Sequence, residues 1–319
     1  MAIEDIMSRF ITTEEVANQL HIHQNTVIRY IQQGKLPAVK VGKGYRIKES
    51  DLSAFVGEVE PVDEGARVLV VANQKGGVAK TTTAVNLAAS LGAAGKRILL
   101  VDLDPQSGCA VCLRIDTSTL QRTIYDVLVH SAVDVAKVVI KTNSGFDLVP
   151  SNIDLAGAEV ELKQVLAQES VLRRRLQPLI GQYDCVIIDT PPSLGILTVN
   201  ALTAAKQVLI PVSCEYMALR GLKMLLDTIS DVQSVTNPNL KILGILATRF
   251  DQRTLNSRDV YTYLSDFCDR EGIKLFNQVV KQSVRFAEAP TSGKPLVELH
   301  PELDGAKAYQ QVAEEILHG

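Results

Sequence analysis

No stretch of this chain strings together the roughly 20 apolar residues that cross a bilayer, so a membrane-spanning role is not expected. The opening MAIEDIMSRF is short of apolar run and carries two acids, unlike a secretory leader. Basic residues are not in excess either. The formal charge is −3, which argues against a uniform cationic coat for nucleic acid but leaves room for a local basic patch. Cysteine is sparse and odd in number, five in 319 residues, which fits a reducing cytoplasm better than a disulfide framework. Internal repeats and low-complexity tracts are missing. What is present is a large apolar fraction, 46%, enough for a sizeable core, over a length that suggests about two domains.

The first of these is small. TTEEVANQL (12–20) predicts a short helix capped by Thr12 or Thr13, with acids in its first turn and Val16, Ala17 and Leu20 on one face. A second helix follows over NTVIRYIQQ, with Asn25 as its expected cap and Gly34 and Pro37 ending it. Two short helices across a tight turn make a helix-turn-helix. AVKVGKGYRIK then alternates as a hairpin around Gly42 and Gly44, and a last helix starts near Ser50. Between Val16 and Lys48 the charges are all of one sign: Arg29, Lys35, Lys40, Lys43, Arg46 and Lys48, with no acid among them. GEVEPVDEGA (57–66) is acidic, punctuated by Pro and Gly, and without period, so it reads as a linker. The expected division is 1–57, 58–66 and 67–319.

Beyond residue 66 the pattern changes to apolar strands alternating with helices. Strands are expected at 67–72, 97–102, 146–149, 184–189, 207–212 and 242–248. Their near-continuous apolar runs suit burial on both faces, hence an α/β fold with a mostly parallel, doubly wound sheet. Between the first strand and the helix that follows lies NQKGGVAKTT (73–82). The general phosphate-loop pattern, G-x-x-x-x-G-K-[ST], would place glycines at Gln74 and Ala79. The strand–loop–helix context is nevertheless the required one. Gly76 and Gly77 can take positive φ and turn N–H groups inward, Lys80 adds a full charge, and the Thr81 hydroxyl suits Mg²⁺. Ala79 is tolerable on the expectation that it already lies near helical φ and ψ. The bland alternative is a lysine followed by a flexible turn.

KGGVAKTTT resembles the deviant Walker A box of the ParA/MinD family, in which a signature lysine opens the pattern; here that is Lys75. The resemblance implies ATP and Mg²⁺ as cofactors and an ATP-dependent sandwich homodimer into which Lys75 reaches across to the partner's nucleotide. Lys75, Gly76, Gly77, Val78, Ala79, Lys80, Thr81 and Thr82 would line the nucleotide, joined by Arg249 and Lys281. LLVDLDPQ supplies Asp102 and Asp104, and CVIIDTPPSLG supplies Asp189 at a second strand end. By the likeness Thr81, Asp102 and Asp189 serve the metal, Asp104 positions the attacking water, and Lys75, Lys80 and Asp104 are the catalytic set. VPSNIDLAGAEVEL, CEYMALRGL and VRFAEAPTSGKP resemble segments of the ParA/Soj branch, so the likeness covers about residues 67–317.

Three departures stand out. Lys281-Gln282-Ser283 replaces the usual Pro-Arg-Asn, TRFD (248–251) replaces TMYD near the adenine side, and the final helix lacks the membrane tail of MinD. That helix should instead lay Ala308, Tyr309, Val312 and Ile316 on the sheet. The first ~57 residues resemble the excisionase/MerR helix-turn-helix module. This implies that Gln24, Asn25, Thr26 and Arg29 face the major groove and that Lys40, Lys43 and Arg46 on the wing take phosphates or the minor groove. A packing or dimerisation module of the same fold is the alternative. On the ATPase surface Arg253, Arg258 and Arg285 are the candidates for DNA of any sequence.

Other residues draw bland expectations. Cys109 and Cys112 form a C-x-x-C with no second pair nearby, and are expected to be structural. His21 and His23 are expected to be solvated or phosphate-near, and Arg173–Arg175 to be a solvated helix face. The resemblance implies a nucleoid-associated, cytoplasmic partition ATPase stimulated by a ParB-like partner, serving plasmid or chromosome segregation and repressing its own operon. The rivals are a nucleotide-sensing transcription regulator and an ATPase that positions a non-DNA cargo.

Overall fold

The computed structural model describes residues 10–19, 24–32, 36–42, 44–56, 66–215 and 218–318. His21, His23, Lys43 and residues 57–65 therefore lie outside the described residues, and of Asn25, Thr26 and Arg29 only the helical backbone is described. The elements of the amino-terminal part are Phe10–Thr12 (β1), Thr13–Gln19 (α1), Gln24–Gln32 (α2), Val39–Val41 (β2), Gly44–Lys48 (β3) and Glu49–Val56 (α3). Thr12 is the cap of α1. Its Oγ1 accepts from Glu15 N at 3.1 Å while Glu15 Oε2 accepts from Thr12 N at 2.7 Å, a reciprocal box worth about 1 kcal/mol. Asn25 lies inside α2 rather than capping it, since the helix opens at Gln24. The hairpin forms as expected, Val41 opposite Gly44, with Gly42 supplying the left-handed turn at φ 62. The third strand was not foreseen: β1 pairs antiparallel with β3, giving the order β1-β3-β2. Ile11, Val16, Ala17, Val27, Leu36, Ile47 and Leu52 close over one another as a small core of their own.

The larger part continues with Arg67–Val71 (β4), Lys80–Ala93 (α4), Ile98–Asp102 (β5), Gly108–Cys112 (α5), Ile124–Val129 (α6), Ile140–Lys141 (β6), Asp147–Val149 (β7), Leu155–Glu161 (α7), Val171–Ile180 (α8), Cys185–Asp189 (β8), Ile196–Ala204 (α9), Gln207–Ser213 (β9), Ala218–Val235 (α10), Lys241–Phe250 (β10), Leu255–Glu271 (α11), Leu275–Lys281 (β11), Arg285–Ser292 (α12), Leu296–Leu299 (α13) and Asp304–His318 (α14). Its eight strands run in the order β11-β10-β9-β4-β8-β5-β7-β6, parallel except for β6. The apolar runs have a plain cause. Along β4, Val68 and Val70 enter one core and Leu69 and Val71 the other, and β5 and β8 split in the same way. A strand covered on both faces needs no polar side.

Helices α4 and α14 cover one face. Ala308, Tyr309, Val312 and Ile316 of α14 are buried there as expected, and the Tyr309 hydroxyl meets Thr83 Oγ1 at 3.1 Å. Helices α6 to α11 contribute to the other face. Three sequence expectations change. The strands β6 and β11 are additional, and Ala66, assigned to the linker, is buried in the core. The Arg173–Arg175 run is not merely solvated: Arg173 Nη1 donates to Thr236 O at 3.4 Å and Arg175 Nη1 to Ser131 O at 3.0 Å, tacking α8 to its neighbours. Among the described residues no helix is long and apolar enough to cross a membrane.

Candidate nucleotide site

In a parallel sheet the carboxyl ends of the strands share one edge, and ligands collect there. The loop 72–79 leaves β4 at that edge and turns into α4, whose first residue is Lys80. Asn73 anchors the loop at its start, donating from Nδ2 to Pro211 O at 2.8 Å and accepting Lys75 N on Oδ1 at 3.0 Å. Val78 is buried, and its carbonyl accepts Thr248 Oγ1 at 3.0 Å. Thr82, one residue into the helix from Thr81, gives its carbonyl to Asn86 Nδ2 at 2.8 Å.

Two backbone expectations need correcting. Only Gly77 of the glycine pair is left-handed, at φ 74. Ala79 is not near helical geometry but left-handed, at φ 70 and ψ 31, immediately before the helix. An alanine there clashes through its Cβ at a cost of about 1–2 kcal/mol, a cost a glycine would avoid.

The two lysines sit differently. Lys80 is buried, and Nζ donates to Lys75 O at 3.2 Å. Burial pulls its pKa down, opposed by the carboxylates of Asp189 and Asp104. Lys75 lies at the rim, where Nζ pairs with Glu215 Oε2 at 2.8 Å and reaches Ser213 Oγ at 3.4 Å. That hydrogen bond is the main reason the Glu215 carboxyl titrates below its usual range. Glu215 also faces Arg249 at 3.6 Å, and Arg249, itself left-handed at φ 52, donates Nη1 to Gly77 O at 2.9 Å. Arg249 thus touches the loop directly. Lys281, at the end of the edge strand β11, has Asp304 as its partner at 2.7 Å.

Behind the loop, Asp102 and Asp189 end neighbouring parallel strands in register. Both are fully buried. Asp102 accepts Asp104 N at 2.9 Å and Cys109 N at 3.0 Å; Asp189 Oδ2 accepts Thr81 Oγ1 at 2.6 Å. Burial raises the Asp102 carboxyl to about 6 in spite of those backbone bonds. Burial first, and the Asp102 charge second, raise Asp189 to about 8 against the Thr81 hydrogen bond and Lys80. Asp189 Oδ1 is buried with no hydrogen-bond partner. Two buried carboxylates side by side with an orphaned oxygen form a site that asks for a cation, and the P-loop threonine beside them fits Mg²⁺, which takes hard oxygen donors and keeps its waters. Asp104 stands half-exposed at the mouth of this site. Its carbonyl accepts Ser151 Oγ at 2.5 Å and its Oδ1 accepts Gln106 N at 2.9 Å, so both backbone and carboxylate are held in place.

Sequence reasoning did not single out Glu215 or Ser213. Cys109, expected to be structural, is buried and donates its S–H to Asp189 Oδ2 at 3.6 Å. Of the surface candidates, Arg253 is paired with Asp251 at 2.8 Å and Arg285 with Glu288 at 2.8 Å, while Arg258 is exposed on α11. In the amino-terminal module Lys40 is exposed on β2, Arg46 is half-exposed on β3, and Gln24 Nε2 donates to Thr13 Oγ1 at 2.9 Å.

A buried lysine at a helix start, a threonine hydroxyl on a strand-end carboxylate and a parallel sheet behind them define a P-loop nucleotide-binding fold. Comparison with known proteins agrees. Residues 66–242 match the family described as an AAA domain, and residues 10–58 match one described as a helix-turn-helix domain. The sporulation initiation inhibitor protein Soj of Bacillus subtilis is 44% identical over 253 residues, covering 78% of this chain and 98% of Soj. The chromosome partitioning protein ParA of Caulobacter vibrioides is 42% identical over 254 residues, covering 79% and 94%. A crystal structure titled cobyrinic acid a,c-diamide synthase from Mycobacterium smegmatis, with bound ADP and magnesium, is 44% identical with a TM-score of 0.70, covering 79% of this chain and 94% of that one. The chain belongs to the ParA/Soj family of P-loop ATPases.

Proposed function

We propose that this protein is a partition ATPase that hydrolyses ATP with Mg²⁺, dimerises on ATP, binds DNA in that state and is released by a ParB-like partner. The observation that carries the reading is the separation of the two P-loop lysines. Lys80 lies inside the cradle beside Asp189, whereas Lys75 rests at the rim on a carboxylate and a hydroxyl, Glu215 and Ser213, that phosphate oxygens of a second subunit would replace. Lys80 and the N–H groups of residues 76–82 then hold the phosphates in cis. Thr81, Asp102 and Asp189 would hold the metal, which would neutralise charge on the phosphate oxygens. Asp104 orients the attacking water, and Lys75 stabilises charge on the partner's nucleotide. Arg249, bonded to the Gly77 carbonyl, and Lys281 complete the nucleotide side.

The division at 58–66 gives the chain two DNA contacts of different kinds. The helix-turn-helix, with Gln24, Asn25, Thr26 and Arg29 toward bases and Lys40, Lys43 and Arg46 toward phosphates, would read an operator and repress the operon. Arg253, Arg258 and Arg285 would hold arbitrary duplex and keep the protein on the nucleoid. Titrating the full chain with random duplex in ATP, ADP or no nucleotide, with its mass followed by light scattering, tests this. Dimer mass and random-duplex binding should appear together, with ATP only. A protein that stays monomeric with ATP, or binds random duplex equally without it, would defeat the partition reading and leave the transcription-regulator alternative.

A further inference from the structure

The hydrolysis mechanism leaves Cys109 without a task, yet the fold brings it to the carboxylate pair with care. A Cβ on Gly108 would stand 2.9 Å from Thr81 Cγ2 and 3.2 Å from its Oγ1, so glycine is what lets the start of α5 close on the P-loop. That approach sets Cys109 N 3.0 Å from Asp102 Oδ2 and Cys109 Sγ 3.6 Å from Asp189 Oδ2. The sulfur and one oxygen from each of Asp102 and Asp189 lie within 4.8 Å of one another, and all three side chains are buried. A second observation is independent of the sulfur: Asp189 Oδ1, fully buried, has no hydrogen-bond partner. A buried carboxylate oxygen left unpaired is costly, and a cation at this point removes the cost.

We propose that Asp102, Cys109 and Asp189 form a mixed oxygen–sulfur site for a thiophilic divalent cation of the Zn²⁺ class, bound in competition with Mg²⁺. The chemistry of the donors discriminates. Mg²⁺ takes oxygen ligands and gains nothing from sulfur, whereas thiolate favours zinc and its softer relatives. The 3.6 Å between Cys109 Sγ and Asp189 Oδ2 is already about the edge of a tetrahedron with bonds of about 2.0–2.3 Å. On binding, the Cys109 thiol gives its proton to solvent as the sulfur–metal bond forms. Three negative donors then surround a dipositive ion, with the Lys80 ammonium nearby to balance the excess. A water takes the fourth position, since Thr81 Oγ1, 2.6 Å from Asp189 Oδ2, lies too close to that oxygen to be a second corner of the tetrahedron. An ion so placed occupies the carboxylates that Mg²⁺ needs, so it would stop the ATPase rather than serve it.

The proposal rests on reading Asp102 and Asp189 as the magnesium end of the site, and the test separates the two. Full-length protein, stripped of metal under reducing conditions, is titrated with Cd²⁺ and, in parallel, with Co²⁺, and thiolate-to-metal charge-transfer absorption is recorded. One equivalent should generate the band, and excess Mg²⁺ with ADP should reduce it. Cys109→Ser and Cys109→Ala should both lose the band and bind Cd²⁺ at least about tenfold more weakly, since loss of even an outer-shell partner costs that much. Cys112→Ser should keep both properties. A wild-type titration without a thiolate band overturns the proposal without recourse to any variant, as does a band that survives in both Cys109 variants or follows Cys112. Mg²⁺-dependent ADP affinity is measured on the same preparations and on Asp189→Asn. Unchanged affinity in Asp189→Asn sinks the magnesium reading; a normal Mg²⁺ dependence with no thiolate band sinks the Cys109 site alone.

Discussion

In the amino-terminal module apolar side chains such as Ile11, Val27 and Ile47 fill the core, and the basic residues Lys40 and Lys48 stand exposed around it. At the P-loop the arrangement is inverted: Lys80, Asp102 and Asp189 are themselves buried, and the apolar cores lie behind them. The difference decides how each region works. Exposed cations bind by meeting phosphate, and removing one costs binding but little of the fold. Buried charges must be balanced by one another or by a ligand, so removing one alters the protonation and position of the rest.

Lys80→Ala should break the buried arrangement hardest, abolishing ATP binding and with it any ATP-dependent dimer. Lys75→Ala, changed at the rim, should still bind ATP but neither dimerise nor turn over normally. Nucleotide affinity and ATP-dependent mass, measured on both, decide between the two roles. If Lys75→Ala dimerises and hydrolyses like wild type, the signature-lysine assignment is wrong. Asp104→Ala comes next. It removes a water-orienting group and no phosphate donor, so turnover should fall by about 10²–10⁴ with ATP still bound and the dimer trapped. Undiminished turnover would move that role to another residue.

Much of this was legible beforehand because the signals are local. Strands buried on both faces announce themselves as apolar runs, and the P-loop is a contiguous motif between one of them and a helix. What escaped notice is non-local or weakly patterned. LFNQVVK forms the edge strand β11, where partial exposure leaves no clean apolar run. Cys109 reads as structural because its C-x-x-C has no second cysteine pair or histidine cluster nearby in sequence. Its neighbours are two carboxylates on β5 and β8, which only the sheet brings together. Glu215 lies 140 residues beyond Lys75, and no spacing rule links them.

The exposed side of the comparison is sharpened by arginine substitutions. Arg29→Ala should relax sequence preference by about 1–3 kcal/mol if its guanidinium reads a base. Arg285→Ala should weaken binding to all duplexes alike and lower the salt dependence, with a smaller effect because Arg285 already pairs with Glu288. Binding of specific and random duplexes across a salt series separates the two. A residue 1–60 fragment that prefers no sequence in a selection experiment would end the repressor half of the reading and leave the ATPase half standing.

The smallest effect concerns the backbone, where the two regions again differ. The wing makes its left-handed turn with Gly42 at φ 62, while the P-loop makes one with Ala79 at φ 70. The Ala79 carbonyl accepts Thr83 N at 2.8 Å, opening α4, so the residue cannot relax without losing the first turn of the helix. Glycine would remove a Cβ clash of about 1–2 kcal/mol and return roughly 0.4–1 kcal/mol of unfolded-chain entropy, so Ala79→Gly should stabilise the protein by about 0.5–1 kcal/mol. Ala93→Gly, at the last residue of the same α4, should do the reverse by a smaller amount, roughly a few tenths of a kcal/mol, because the interior glycine cost is only partly felt at a helix end. Urea midpoints at constant slope read both. Opposite signs would establish that the loop carries backbone strain a glycine relieves; a loss of stability in both would show that Ala79 is not strained in the folded protein.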